Sequence, residues 1–197
     1  MIDQASDRFP RGHGSVVVTT QRGDAINIRH IQPQDARLLS ELYHKLSPES
    51  RWLRFMSALP DLPDDIIQSE ARRLARIDPQ LESALIATVQ VAGQAQAIGV
   101  ARLKRDTANA LSAEAALVVR DDYQCQGLGT VLFDLLLQIA MVRGLKQLWL
   151  LSLAENTGMH RLVQKCGLPY TSHTSRGEIT MTIELVGDTA MEQASPA

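Results

Sequence analysis

Hydrophobic and polar positions alternate in blocks whose period changes along the chain. SVVVTT (15–20) and AINIRHI (25–31) are β-rich runs separated by a polar turn holding Gly23, a pattern that predicts a β-hairpin. QPQDARLLSELYHKLS (32–47) shifts to helical spacing. Leu38, Leu39, Leu42, Tyr43 and Leu46 fall on one face, and Pro33 suits the first turn. PESRWLRFMS (48–57) predicts a short second helix and DDIIQSEARRLARI (64–77) a third, with Asp64 and Asp65 at its positive end. Three apolar, β-rich runs follow: SALIATVQV, AIGVARLK and EAALVV, with Gly93 as the turn between the first two.

GLGTVLFDLLLQIAMVR (127–143) is apolar nearly all round, so a buried helix is expected, with Gly144 as its C-terminal cap. KQLWLLSL (146–153) reads as a central strand. A helix then carries Met159, Leu162, Val163 and Cys166 on one face and ends at Gly167, before a closing strand GEITMTIELV (177–186). The order is hairpin, helices, β-meander, helix, strand, helix, strand. It predicts an α/β fold with a mixed sheet, in which the strands either side of the buried helix run parallel because a helical crossover joins them.

Length narrows the organisation. At 197 residues the chain suits one domain, here 15–186, between a polar leader (1–14) and a loose tail (187–197), both expected to be disordered. A formal net charge of −2 carries no footprint for nucleic acid or an anionic membrane. The longest apolar stretch, VLFDLLLQIAMV, is too short to span a bilayer. Cys125 and Cys166 have no metal-ligand spacing and read as reduced thiols, so the expected setting is cytoplasmic and metal-free.

The chemistry concentrates in VRDDYQCQGLGT (119–130), between a strand and the buried helix. A helix N-terminus offers unpaired N–H groups and about half a positive charge, and glycine lets an anion approach without meeting Cβ. The Gly-Lys-Ser/Thr of a P-loop is missing, and the third glycine of a dinucleotide fingerprint would fall at Leu132. Gly127-x-Gly129 alone therefore fits both a phosphate cradle and a plain strand–helix turn.

The wider pattern resembles the GNAT superfamily of N-acetyltransferases over residues 23–186. It consists of a strand ending in Val118-Val119, then Gln124-x-x-Gly127-x-Gly129, the buried helix, a strand, AEN (154–156) and a helix ending in KCG (165–167). LSPESRWLRFM (46–56) and LVVRDDYQCQGLGT (117–130) look like the bacterial protein-lysine acetyltransferases. The resemblance implies a mostly antiparallel twisted sheet with central splayed parallel strands, and acetyl-CoA as cosubstrate. Gln124 and the main-chain amides of Gln126, Gly127, Leu128, Gly129 and Thr130 would hold the pyrophosphate. Leu117 and Val119 would pair with the pantetheine arm, and Asn156 would bond that arm or the following helix.

The resemblance also implies roles in the reaction. A lysine amine is almost wholly protonated at neutral pH, so a general base is needed. Glu114 is the candidate, an ordinary solvent-facing glutamate being the competing reading; many family members place the base one residue earlier, at Ala113 here. Val118 N–H would stabilise the oxyanion. The tyrosine that often protonates the leaving thiolate is replaced by Val163. By the same resemblance Arg51, Arg54 and Phe55 lie where the family shapes its acceptor cleft, although Trp52 and Phe55 read as core packing; His160 reads as solvated, and Cys125 as loop filling, with a reactive thiol the competing reading. The expected acceptor is a protein lysine. A small-molecule amine acetyltransferase and a non-catalytic acyl-CoA-binding module are the alternatives, and a homodimer is compatible with any of them.

Overall fold

A computed structural model describes residues 14–20, 22–56 and 62–185. The expected leader, apart from Gly14, and the expected tail lie outside these residues. Within them the hairpin forms as β1 (Ser15–Thr19) and β2 (Ala25–His30). One 3-10 turn at Pro33–Asp35 leads into α1 (Ala36–Lys45), followed by α2 (Pro48–Phe55) and α3 (Asp64–Ala75). The meander is β3 (Glu82–Val91), β4 (Gln94–Arg105) and β5 (Ser112–Val119). Then come α4 (Leu128–Val142), β6 (Gln147–Leu153), α5 (Thr157–Lys165), β7 (Tyr170–Ser175) and β8 (Glu178–Glu184).

One sheet holds all eight strands in the order β1-β2-β3-β4-β5-β6-β8-β7. Every pairing is antiparallel except β5–β6, the pair joined through α4, as a helical crossover requires. β7 is the strand that the hydrophobic pattern does not reveal. All six of its residues are exposed, so it has no buried face to impose alternation.

The sheet separates two cores. On one face α4 packs Leu132, Phe133 and Leu136 against Ala113, Ala115 and Val119 of β5. On the other, Leu38 and Leu42 of α1 and Ala75 of α3 pack against Ile86, Val100 and the half-buried Val118. The near-uniform apolarity of α4 follows from this burial, with eight of its residues inside. α4 ends where Gly144, in the left-handed region at φ 72°, donates to Met141 O at 2.9 Å and Leu145 donates to Ala140 O at 3.0 Å. Among the described residues no helix is long and apolar enough to cross a membrane.

Candidate functional site

β5 and β6 pair only at their beginnings, Ser112–Glu114 against Gln147–Trp149. Beyond Glu114 they separate, and β5 loses its neighbour on that side while keeping β4 on the other. The opening is a cleft of about 540 Å³ lined by the outer part of β5, the loop to α4, α2 and α5. Its size is ordinary for a small-ligand site.

The β4–β5 register decides which groups face this opening. Asp106 N–H donates to Ser112 O at one end, and Arg120 N–H to Ile98 O at the other. Antiparallel hydrogen-bonded pairs alternate, so the main-chain groups of Glu114, Ala116 and Val118 point to β4. Those of Leu117 and Val119 point to the open edge. The placement of Leu117 and Val119 suits strand-like pairing with a ligand. That of Val118 does not suit an oxyanion donor, because its N–H lies in the ladder opposite Val100. The correction is one residue, and its cause is the two-residue period of the strand.

Side chains follow the same parity. Ala113 is fully buried under α4. Glu114 is half-buried on the opposite face, the one α2 covers, and sits between Lys104 on β4 and Trp149 on β6. A carboxylate at position 113 would enter the core, whereas at 114 it borders the α2 side of the sheet.

The loop from β5 to α4 is braced on every side. Asp121 accepts from Ser47 Oγ at 2.6 Å, Ser50 Oγ at 2.7 Å and Ser47 N–H at 2.9 Å. Burial pushes the Asp121 carboxyl up, but these donors outweigh it and hold the group below its ordinary value. Buried Arg120 clamps Asp122 with two bonds of 2.6 and 2.9 Å and stacks over Tyr123; that hydrogen bonding keeps the Asp122 carboxyl low. Gln124 Nε2 donates to Ser50 Oγ and to Val119 O, both at 3.0 Å. Its amide therefore ties the loop to α2 and the strand end. Gln126 Nε2 donates to Asp122 O at 2.7 Å, which turns the side chain back on its own loop.

The result is a preformed helix mouth. Among the described residues no acceptor meets the main-chain N–H of Gln126, Gly127, Leu128, Gly129 or Thr130. Gly127 is left-handed at φ 87°, a conformation that glycine adopts without strain, and a Cβ there would meet nothing within 4 Å. A Cβ at Gly129 would lie 3.6 Å from Leu162 Cδ1 and 3.9 Å from Val119 Cγ2. The space outside Gly127 is therefore open, while a Cβ at Gly129 would make ordinary contacts with α5 and β5. Cys125 is also left-handed, at φ 56°, with its thiol exposed.

α2 and α5 complete the walls. Asn156 caps α5, its Oδ1 accepting from Met159 N–H at 3.1 Å. Trp52 Nε1 donates to Glu155 Oε1 at 2.7 Å, so α2 is tied to the far side of the cleft as well as to the loop. Trp52 and Phe55, expected in the core, are each 37% exposed, with the Phe55 ring 5.9 Å from that of Tyr43 on α1. Val163 is fully buried and Cys166 donates to Val163 O at 3.0 Å; both belong to the packing of α5. His160 is half-buried, with Nε2 enclosed. The braces from Ser47, Ser50, Arg120 and Asp121 escape a reading of the sequence, since Ser47 and Ser50 meet Asp121 across more than seventy residues.

Three comparisons bear on this arrangement. The model of the acetyltransferase (GNAT) family matches residues 40–168. A curated acetyltransferase from Pseudomonas aeruginosa is 26% identical over 161 residues, which cover 82% of this chain and 83% of that protein. Among solved structures, the GNAT domain of PAT from S. lividans has a TM-score of 0.74 at 24% identity, covering 87% of this chain and 97% of that one. A cAMP-binding acyltransferase from Mycobacterium smegmatis has a TM-score of 0.58 at 21% identity, over 88% of this chain and 48% of that one. These solved structures share the fold, including the mixed sheet flanked by helices.

Proposed function

The chain belongs to the GNAT acetyltransferase family, and from that premise we propose that it carries an acetyl group from acetyl-CoA to a primary amine, most favourably a protein lysine. The observation that carries this reading is the helix mouth beside the open edge of β5. Five consecutive main-chain N–H groups at the start of α4 have no acceptor among the described residues, and Gly127 leaves open space beside them. Such a cradle fits a diphosphate, and the helix dipole adds to it. The outward groups of Leu117 and Val119 fit the amides of a pantetheine arm, which would lie as an extra strand in the splay. Gln124 and Asn156 serve by holding the loop and α5 in place rather than by offering free polar groups.

Transfer then needs two things from the protein. Glu114 takes a proton from the acceptor ammonium, directly or through water, so that the nitrogen lone pair can attack the thioester carbon. A main-chain donor on the open edge, Leu117 N–H in place of Val118, stabilises the charge that develops on the carbonyl oxygen. The C–S bond breaks and the thiolate leaves as the nitrogen gives its second proton to water; Val163 supplies no proton, and the thiolate takes one back from water. The protein-lysine preference draws on the motif resemblance.

Glu114→Gln provides the test. Losing a positioned general base should lower turnover by about 10²–10⁴-fold, read as coenzyme A thiol release, while acetyl-CoA still raises Tm as in the wild type. Full turnover in the variant would remove Glu114 from the reaction. No acetylation of any protein or small amine, despite cofactor binding, would leave a binding module instead of an enzyme.

A further inference from the structure

One cation in the cleft has no hydrogen-bonded or ion-paired partner among the described residues, although Glu114 lies near enough to attract it. Arg54 lies on the inward side of α2, one turn beyond Ser50, and lines the cleft with Leu53. Other arginines nearby are spent: Arg51 donates to Tyr43 O and His44 O, Arg102 to Glu82 and Leu74 O, and Arg120 to Asp122. Among the described residues the Arg54 guanidinium has no hydrogen bond and no ion pair. Its recorded neighbour is the Phe55 ring at 5.3 Å. Burial pushes its pKa down, against the pull of Glu114 and together with the push of Arg102. A partly desolvated guanidinium with five donors and no acceptor is stabilised by an incoming anion.

Position says which anion. Ser50, bonded to Gln124 and Asp121, marks the cradle end of α2. Arg54 is about 6 Å further along the helix, toward Glu114 and away from the α4 mouth. It is therefore placed for the acceptor, not for the diphosphate. A guanidinium pairs best with a carboxylate, in a two-bond fork. With Glu114 taking the ammonium and Arg54 a carboxylate, the acceptor is held at two points and its amine is aimed.

We propose that Arg54 recognises a carboxylate on the acceptor, so that the substrate is a protein lysine with an aspartate or glutamate beside it. This rests on the acetyl-transfer reading and sharpens its substrate class. Trp52, exposed and bonded to Glu155 next to the cleft-lining Asn156, adds surface that a peptide would cover and a free amino acid would not.

The test uses one peptide sequence with a central lysine flanked by glutamate, glutamine or arginine, alongside free lysine and free glutamate. Wild type should favour the glutamate peptide over the glutamine peptide by about tenfold or more in kcat/KM, the scale of a charged hydrogen bond. In Arg54→Gln that ratio should fall to near 1, with KM for acetyl-CoA unchanged; Arg54→Lys should restore part of it. Tm of each variant without ligand reports folding. An equal loss on both peptides, a raised KM for acetyl-CoA, or no charge preference in the wild type would each overturn the assignment and leave acetyl transfer standing. Arg54-dependent preference for the free amino acids over every peptide would overturn the protein source. Failure to acetylate any acceptor would bring down the transfer reading and this inference together.

Discussion

Replacing Gly129 by alanine separates a ligand cradle from a tight turn, because the two readings give opposite signs. Gly129 is the second residue of α4 and borders the cleft. Its added Cβ would stand 3.6 and 3.9 Å from Leu162 and Val119, which are ordinary contacts. Alanine is unstrained in a helix and restricts the unfolded chain. The ligand-free protein should therefore gain about 0.4–1 kcal/mol, or roughly 1–4 °C in Tm for a chain of this size. The same methyl occupies the space outside the N–H groups. Overpacking a close contact costs about 1–3 kcal/mol, so affinity for acetyl-CoA should fall by roughly 5- to 150-fold. At one hundred times the wild-type Kd, bound ligand contributes about 2.7 kcal/mol, and a tenfold weaker variant keeps about 1.4. Thermal unfolding with and without acetyl-CoA reads both quantities in one experiment. A ligand shift equal to that of the wild type would show that no bound group reaches this Cβ, and the cradle argument would fail. A ligand-free Tm lowered by several degrees would show that the glycine serves packing against α5. Gly127 is the poorer probe, since its φ of 87° strains any side chain whether or not a ligand binds.

Two further outcomes follow from the frame around the site. Despite burial, the donors from Ser47 and Ser50 hold the folded Asp121 carboxyl below its ordinary value, so its stabilising contribution is full above the ordinary carboxylate pKa and is lost as pH falls through the lower folded value. Asp121→Asn should therefore be less stable than the wild type in urea at neutral pH, and the gap should close below about pH 4; an equal gap at both pH values would refute the bracing role. Phe133→Ala, at a side chain only 1% exposed, should cost about 3–5 kcal/mol in the same titration. A loss below about 2 kcal/mol would contradict the close packing of α4 on the sheet.

How much of this was legible beforehand differs between elements. The hairpin, α1, the meander, α4 and β8 each bury one face or nearly all of their surface, so burial is written into their period. β7 buries nothing and so carries no such mark. Trp52 and Phe55 look like core by type, yet the neighbouring elements cover them only in part. That exposure is a property of how α2 lies on the sheet.

Local chemistry alone determined the glycine-bearing loop, the helix it opens and the parallel pairing that a helical crossover imposes, because these depend on residues close together in the chain. Tertiary structure decided the rest. The point where β5 and β6 part, the side of β5 that faces the opening, the braces from Ser47 and Ser50 to Asp121, and the unpaired guanidinium of Arg54 all depend on segments distant in sequence. A strand turns its main-chain groups to alternate sides with each residue, so only the register with β4 could give the open edge to Leu117 and Val119 and withhold it from Val118.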